Sequence, residues 1–121
     1  MPEASPGATE FFRLVDELVR TSDVVIHRPL GSVHPRISEA TYPLDYGYLD
    51  GTVSGDGDGI DVFMGSATGA GVVGILVIAD PVKRDTEIKL LLDCSPDEVV
   101  AAHRFVHDVL EIGGLLIRRE G

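Results

Sequence analysis

Apolar positions along this chain follow two periods, and the switches between them mark the elements. In "TEFFRLVDELVR" (Thr9 to Arg20), Phe11, Phe12, Val15, Leu18 and Val19 recur at helical spacing, which predicts an amphipathic helix with Thr9 as its cap. The residues before it read as a loose tail over 1–8. "SDVVIHRP" predicts a short strand ended by Pro29. "GSVHPRISEATYP" reads as loop with some strand character. "DYGYLDGTV" alternates aromatic and small residues as a strand does, "GDGDG" is a turn, and "IDVFMG" resumes a strand beyond it. "AGVVGILVIAD" is continuously apolar and β-branched, the mark of a buried strand. "PVKRD" turns the chain into a partner strand, "TEIKLLLD". "SPDEVVAAHRFVHDVLEIGG" predicts a second helix, with Ser95 as cap, Pro96 at its first position, Glu98 closing a capping box, and Gly113 and Gly114 as its stop. "LLIRR" predicts a short closing strand. Together these predict a single α+β domain over 1–121: a small OB-like β-barrel, closed or partly open, with an N-terminal and a C-terminal helix packed on it.

Composition narrows the function. The chain has 121 residues, 44% of them hydrophobic, and a formal net charge of -10. Such an acidic protein lacks the basic footprint that nucleic acid or an anionic membrane requires. The longest run without a polar side chain, Gly69 to Ala79, is too short and too glycine-rich to span a bilayer. A lone cysteine, Cys94, cannot pair within the chain, and no basic n-region precedes an apolar stretch. Both point to a reducing cytoplasm.

The chemistry is concentrated in "SGDGDGID" (Ser54 to Asp61), which sets Asp56, Asp58 and Asp61 on one glycine-rich turn. Asp and Gly are ordinary turn residues. However, two carboxylates about 4 Å apart repel by about 4 kcal/mol at an effective dielectric of 20, so converging carboxylates call for a cation. Oxygen ligands favour hard ions such as magnesium, manganese or calcium. An EF-hand is excluded, since its twelfth position would be Ala67, where a glutamate is needed. A second acidic pair, Asp80 and Asp85, flanks the "PVKR" turn. If the strands carrying both turns share one sheet, all five carboxylates open toward one cavity. His103 and His107, one helical turn apart, have zinc-binding spacing but no evident third ligand.

"YPLDYGYLDGTVSGDGDGIDVF" (Tyr42 to Phe63) resembles the signature stretch of soluble (family I) inorganic pyrophosphatases. That family carries a Tyr-Pro-x-x-Tyr-Gly segment ahead of an Asp-x-Asp-Pro-x-Asp motif. The likeness extends back through "VVIHRPLGS" and forward through "VGILVIADPVKRD". The resemblance implies hydrolysis of pyrophosphate to two phosphates by a metal-activated water, with Mg2+ or Mn2+ as cofactor. It implies Asp56, Asp61, Asp80 and Asp85 as metal ligands and Asp58 as the base for the attacking water. Tyr46 would orient a ligand or a phosphate oxygen. Arg36 matches a phosphate-binding lysine and Lys89 matches another once two residues are inserted; Lys83, by its position alone, is a further candidate for phosphate binding. Pyrophosphate, or a related small phosphoanhydride, is the implied partner, with a second copy of the chain left open.

The sequence also departs from the family. Gly59 replaces the motif proline, and His27 replaces a glutamate near the metals. The hairpin before Tyr42 is short and lacks its arginine, and the helix lacks a phosphate-binding Tyr-Lys pair between His107 and Asp108. Two alternatives therefore stand beside pyrophosphate hydrolysis: another phosphoanhydride substrate such as a nucleotide, or a relative that binds metal or phosphate without turnover.

Overall fold

A computed structural model describes residues 5–120. The elements run α1 (Ala8–Arg20), β1 (Val24–Arg28), β2 (Asp45–Leu49), β3 (Ile60–Met64), β4 (Val72–Asp80), β5 (Asp85–Leu92), α2 (Pro96–Arg104), a π-helical turn (Phe105–Val109) and β6 (Leu115–Arg118). Of the tail expected over 1–8, residues 1–4 lie outside the described residues, and Ala8 already belongs to α1.

All six strands form one mixed sheet in the order β1-β2-β3-β5-β4-β6. Neighbours are antiparallel except β3 and β5, which run parallel. β1 and β6 are its two ends, so of the closed and partly open forms expected, the sheet is open. Strand alternation assigns consecutive residues to opposite faces. Phe63 and Leu91 join Tyr46, Leu76 and Ile78 under Val99, Ala102, Phe105 and Val106 of the C-terminal helical segment. Val62, Leu90 and Leu92 instead pack beneath Phe12 and Val15 of α1. Each helix thus covers one face of the sheet. Fully burying a side chain such as Phe63, Leu76 or Leu91 contributes about 1.5–3 kcal/mol.

Two expected helix boundaries change. Thr9 does not cap α1: helical geometry begins at Ala8, and Gly7, at φ 85, holds the cap position without a side-chain bond. The second helix is capped as expected, since Ser95 accepts from the Glu98 backbone N–H while Glu98 reaches back to Ser95. Its α-form ends at Arg104, well before Gly113. The chain then widens into a π turn closed by the Leu110 N–H donating to the Phe105 carbonyl at 2.9 Å, with Phe105 and Val106 both buried.

Gly47 is required by close approach. A Cβ there would lie 1.8 Å from the Val25 carbonyl oxygen, where the antiparallel pairing of β1 with β2 reaches the register shift between Ile26 and Arg28.

Candidate active site

The strand register places the polar chemistry. In β5, Asp85, Glu87 and Lys89 alternate onto one face. Parallel pairing sets Asp61 of β3 opposite Lys89, and antiparallel pairing sets Asp80 opposite Asp85. Lys89 is buried, at 6% exposure. Its ammonium donates to the Tyr46 hydroxyl oxygen at 2.7 Å, to Asp61 Oδ2 at 3.0 Å and to Glu87 Oε1 at 3.0 Å. All three ammonium protons therefore have acceptors. Burial opposes its charge, but Tyr46, Asp61 and Glu87 outweigh that penalty and raise its pKa, so Lys89 stays protonated. Tyr46 is held neutral, its pKa raised chiefly by burial.

The glycine-rich loop lies beside this node. β3 begins only at Ile60, so the first residues of β5 have the loop, not a strand, on that side. Asp56 Oδ1 accepts from the Ser54 hydroxyl at 2.5 Å and from the Asp58 N–H at 2.9 Å. These bonds hold its carboxyl below the usual range, with smaller contributions from neighbouring Glu87 and Lys83. The loop and the β4–β5 hairpin therefore meet at one end of the sheet. At the hairpin, Asp80 Oδ1 accepts from the backbone N–H groups of Val82 (3.0 Å) and Lys83 (3.2 Å). Lys83 Nζ lies 3.7 Å from Asp85 Oδ2, while Asp85 Oδ1 is buried with no hydrogen-bond partner.

Arg28 and two histidines flank the aromatic residues. The Arg28 guanidinium sits 5.9 Å from the Tyr42 ring centre, and His34 stacks on the same ring at 6.0 Å. His34 Nδ1 accepts from the Arg36 N–H at 3.1 Å, so that nitrogen is unprotonated. Burial, then the charges of Arg28, Arg36 and Lys89, push the His34 pKa down and keep it neutral. Exposed His27 lies 5.9 Å from Tyr46 and 5.5 Å from Tyr48, ring to ring.

Of the residues singled out in the sequence, Tyr46, Asp61 and Lys89 are in direct contact. Asp56 lies beside Glu87, and Asp80, Asp85 and Lys83 share the hairpin. Asp58 and Arg36 are exposed on their loops and make no side-chain contact with this node. Among the described residues, His103 Nε2 lies 2.9 Å from the Gly114 carbonyl, and His107 pairs with Asp108 at 3.4 Å. Two contributors were missed in the sequence. Glu87 was legible from the spacing of "DTEIK", which puts it on the face of Asp85 and Lys89. Arg28 had only its place beside Pro29.

The acidic residues suit a hard divalent ion in chemistry more than in present arrangement. Among the described residues, no three His, Cys, Asp or Glu side chains are gathered as a ready-made metal site. Lys89 already neutralises Asp61. The partnerless buried oxygen of Asp85, and the proximity of Asp56 to Glu87, nevertheless fit a cation that Lys89 does not supply.

No family model matches the chain, and no curated protein sequence matches it. Among solved structures, an inorganic pyrophosphatase from Coxiella burnetii is similar, with a TM-score of 0.45 and 20% identity over 65% of this chain. This chain spans 62% of that protein's length. No helix among the described residues is long and apolar enough to cross a membrane.

Proposed function

We propose that the protein hydrolyses inorganic pyrophosphate to two phosphates in a Mg2+-dependent reaction, with Mn2+ able to substitute. The observation that carries the reading is the charged node at Lys89, whose ammonium joins Tyr46, Asp61 and Glu87. It joins the Tyr-Gly and Asp-rich segments on which the sequence resemblance rests. Asp56, Asp61, Asp80 and Asp85 would hold the metal, which when bound supplies charge neutralisation and a water of lowered pKa. Asp58, exposed at the loop apex and free of the Lys89 network, accepts the proton of the attacking water. Lys89 would reach a phosphate oxygen only by giving up one of its present acceptors, Tyr46 would orient a ligand or phosphate oxygen, and Arg36 adds a planar fork suited to bidentate binding. Lys83 contributes a further positive charge at the hairpin.

Phosphate release from pyrophosphate tests this directly. Wild type is expected to release phosphate with Mg2+ and not after chelation, and Asp58→Asn is expected to lose about 100-fold or more in kcat. Equal release with and without metal, or no release at all, overturns it. One observation favours a second reading, a relative that binds without turnover: Lys89 already occupies Asp61 and Glu87. That reading predicts pyrophosphate binding with no phosphate released.

A further inference from the structure

The Lys89 ammonium stands between two carboxylates, 3.0 Å from Asp61 Oδ2 and 3.0 Å from Glu87 Oε1. Among the described residues, neither carboxylate pairs with another cation. They differ in access: Glu87 keeps 7% of its side chain exposed and Asp61 keeps 24%, so the node opens to solvent at Asp61. The third acceptor differs in kind. Tyr46 is neutral and offers the ammonium its hydroxyl oxygen at 2.7 Å, with its ring centre 5.1 Å away. Tyr46 therefore retains a hold on Lys89 that does not depend on either carboxylate. The ammonium occupies the place between Asp61 and Glu87 that a hard cation would take, which fits the absence of a ready-made metal site among the described residues.

We infer that Lys89 is an exchangeable counter-ion: it yields Asp61 and Glu87 to a divalent cation and, still held by Tyr46, turns toward the phosphate. This rests on the metal-dependent reading above, and it adds Glu87 to the residues that hold the metal. Were the ammonium to stay in place, Asp61 would serve two like charges side by side in a partly buried site, which weakens metal binding. Once Lys89 has moved, Asp61 and Glu87 face two positive charges in place of one. The freed ammonium regains acceptors from phosphate oxygens, as a charge-assisted hydrogen-bond donor. Lys89 is thus a positioning residue that ties phosphate binding to metal binding, and by linkage each strengthens the other. Without metal, the same side chain neutralises the buried Glu87 and keeps the fold intact.

The chain has two lysines, exposed Lys83 and buried Lys89, so the Lys89 ammonium can be followed in 15N-labelled wild type as the one lysine signal shielded from water. Saturating Mg2+ is expected to move that signal and speed its exchange with water, and inorganic phosphate added after Mg2+ is expected to move it again. A titration in which Mg2+ shifts the acidic loop and leaves the Lys89 signal unchanged overturns the inference. Lys89→Met and Lys83→Met then compare loss of the competing ammonium with loss of a nearby charge. Lys89→Met is expected to tighten the Kd for Mn2+ about tenfold or more, because the site no longer has to be vacated. The Lys83→Met change is expected to be much smaller, and Lys89→Met/Glu87→Gln is expected to lose most of the gain. Equal tightening by the two single variants is a general charge effect and overturns the inference. If Lys89→Met does not fold, the wild-type signal decides. Pyrophosphate turnover with an unmoved Lys89 signal overturns this inference and leaves the hydrolytic reading intact. A signal that moves with Mg2+ while no phosphate is released sustains the exchange and overturns the hydrolytic reading.

Discussion

Replacing Lys89 with methionine keeps the length of the side chain and removes the charge on which three partners converge. Glu87 is then left with 7% side-chain exposure and without the one cation that pairs with it among the described residues. Asp61, at 24% side-chain exposure, keeps some access to water, and Tyr46 loses its donor. Breaking a buried ion pair from one side costs about 3–5 kcal/mol. The exposure of Asp61 places the expected loss near the lower end, about 3 kcal/mol, against a typical total stability of about 5–15 kcal/mol. That corresponds to a fall in Tm of roughly 10–15 °C for a domain of this size. Urea unfolding followed by far-UV circular dichroism measures it, since the chain has no tryptophan. The double variant Lys89→Met/Glu87→Gln is the control. If the cost arises from an uncompensated buried carboxylate, neutralising Glu87 restores about 2 kcal/mol relative to additivity. A loss below about 1 kcal/mol, or strict additivity of the two substitutions, refutes the reasoning.

Three further predictions follow from other parts of the fold. Glu98→Gln weakens the capping box and the contact with the Ser66 N–H, costing about 1 kcal/mol at neutral pH. Hydrogen bonds from the Ser95 and Ser66 backbones hold the Glu98 pKa down. Its contribution is thus present above the ordinary carboxylate range and lost as pH falls through the lowered folded value, so wild type and variant converge in urea titrations toward acid pH. Burial, reinforced by Glu98 and Asp93, pushes the Cys94 thiol up to about 12, so it resists thiol reagents at neutral pH and reacts only on unfolding; rapid labelling of the native protein contradicts this. Gly47→Ala forces the backbones of β1 and β2 apart and is expected to cost about 3 kcal/mol or more in chemical unfolding, whereas Gly55→Ala, with open space around its Cβ, is expected to cost well under 1 kcal/mol.

Elements with strong local signals were legible in the sequence. The β4 and β5 strands, the Ser95–Glu98 capping box and the acidic hairpins all follow from periodicity and turn chemistry that act over a few residues. The parallel pairing of β3 with β5 was not legible, because it depends on β4 being placed outside β5. That pairing sets Asp61 against Lys89. The centre of the site was therefore hidden even though both residues had been singled out. Thr9 misled because a favourable cap residue does not fix a boundary when Gly7 can turn the chain earlier. The π turn at Phe105 was equally hidden, since nothing in helical spacing marks the change from α to the wider form. Stacking of His34 on Tyr42 arises from the loop between β1 and β2, which has little regular pattern to read.

The central claim is that the glycine-rich loop and the β4–β5 hairpin act together on one divalent cation. Titrating 15N-labelled protein with Mn2+ and mapping paramagnetic broadening of backbone amides addresses it without any assay of turnover. Early, joint broadening of residues 54–61 and 80–87, removed by excess Mg2+, is the result the account predicts. Broadening confined to one of the two segments, or spread evenly over the acidic surface, contradicts it.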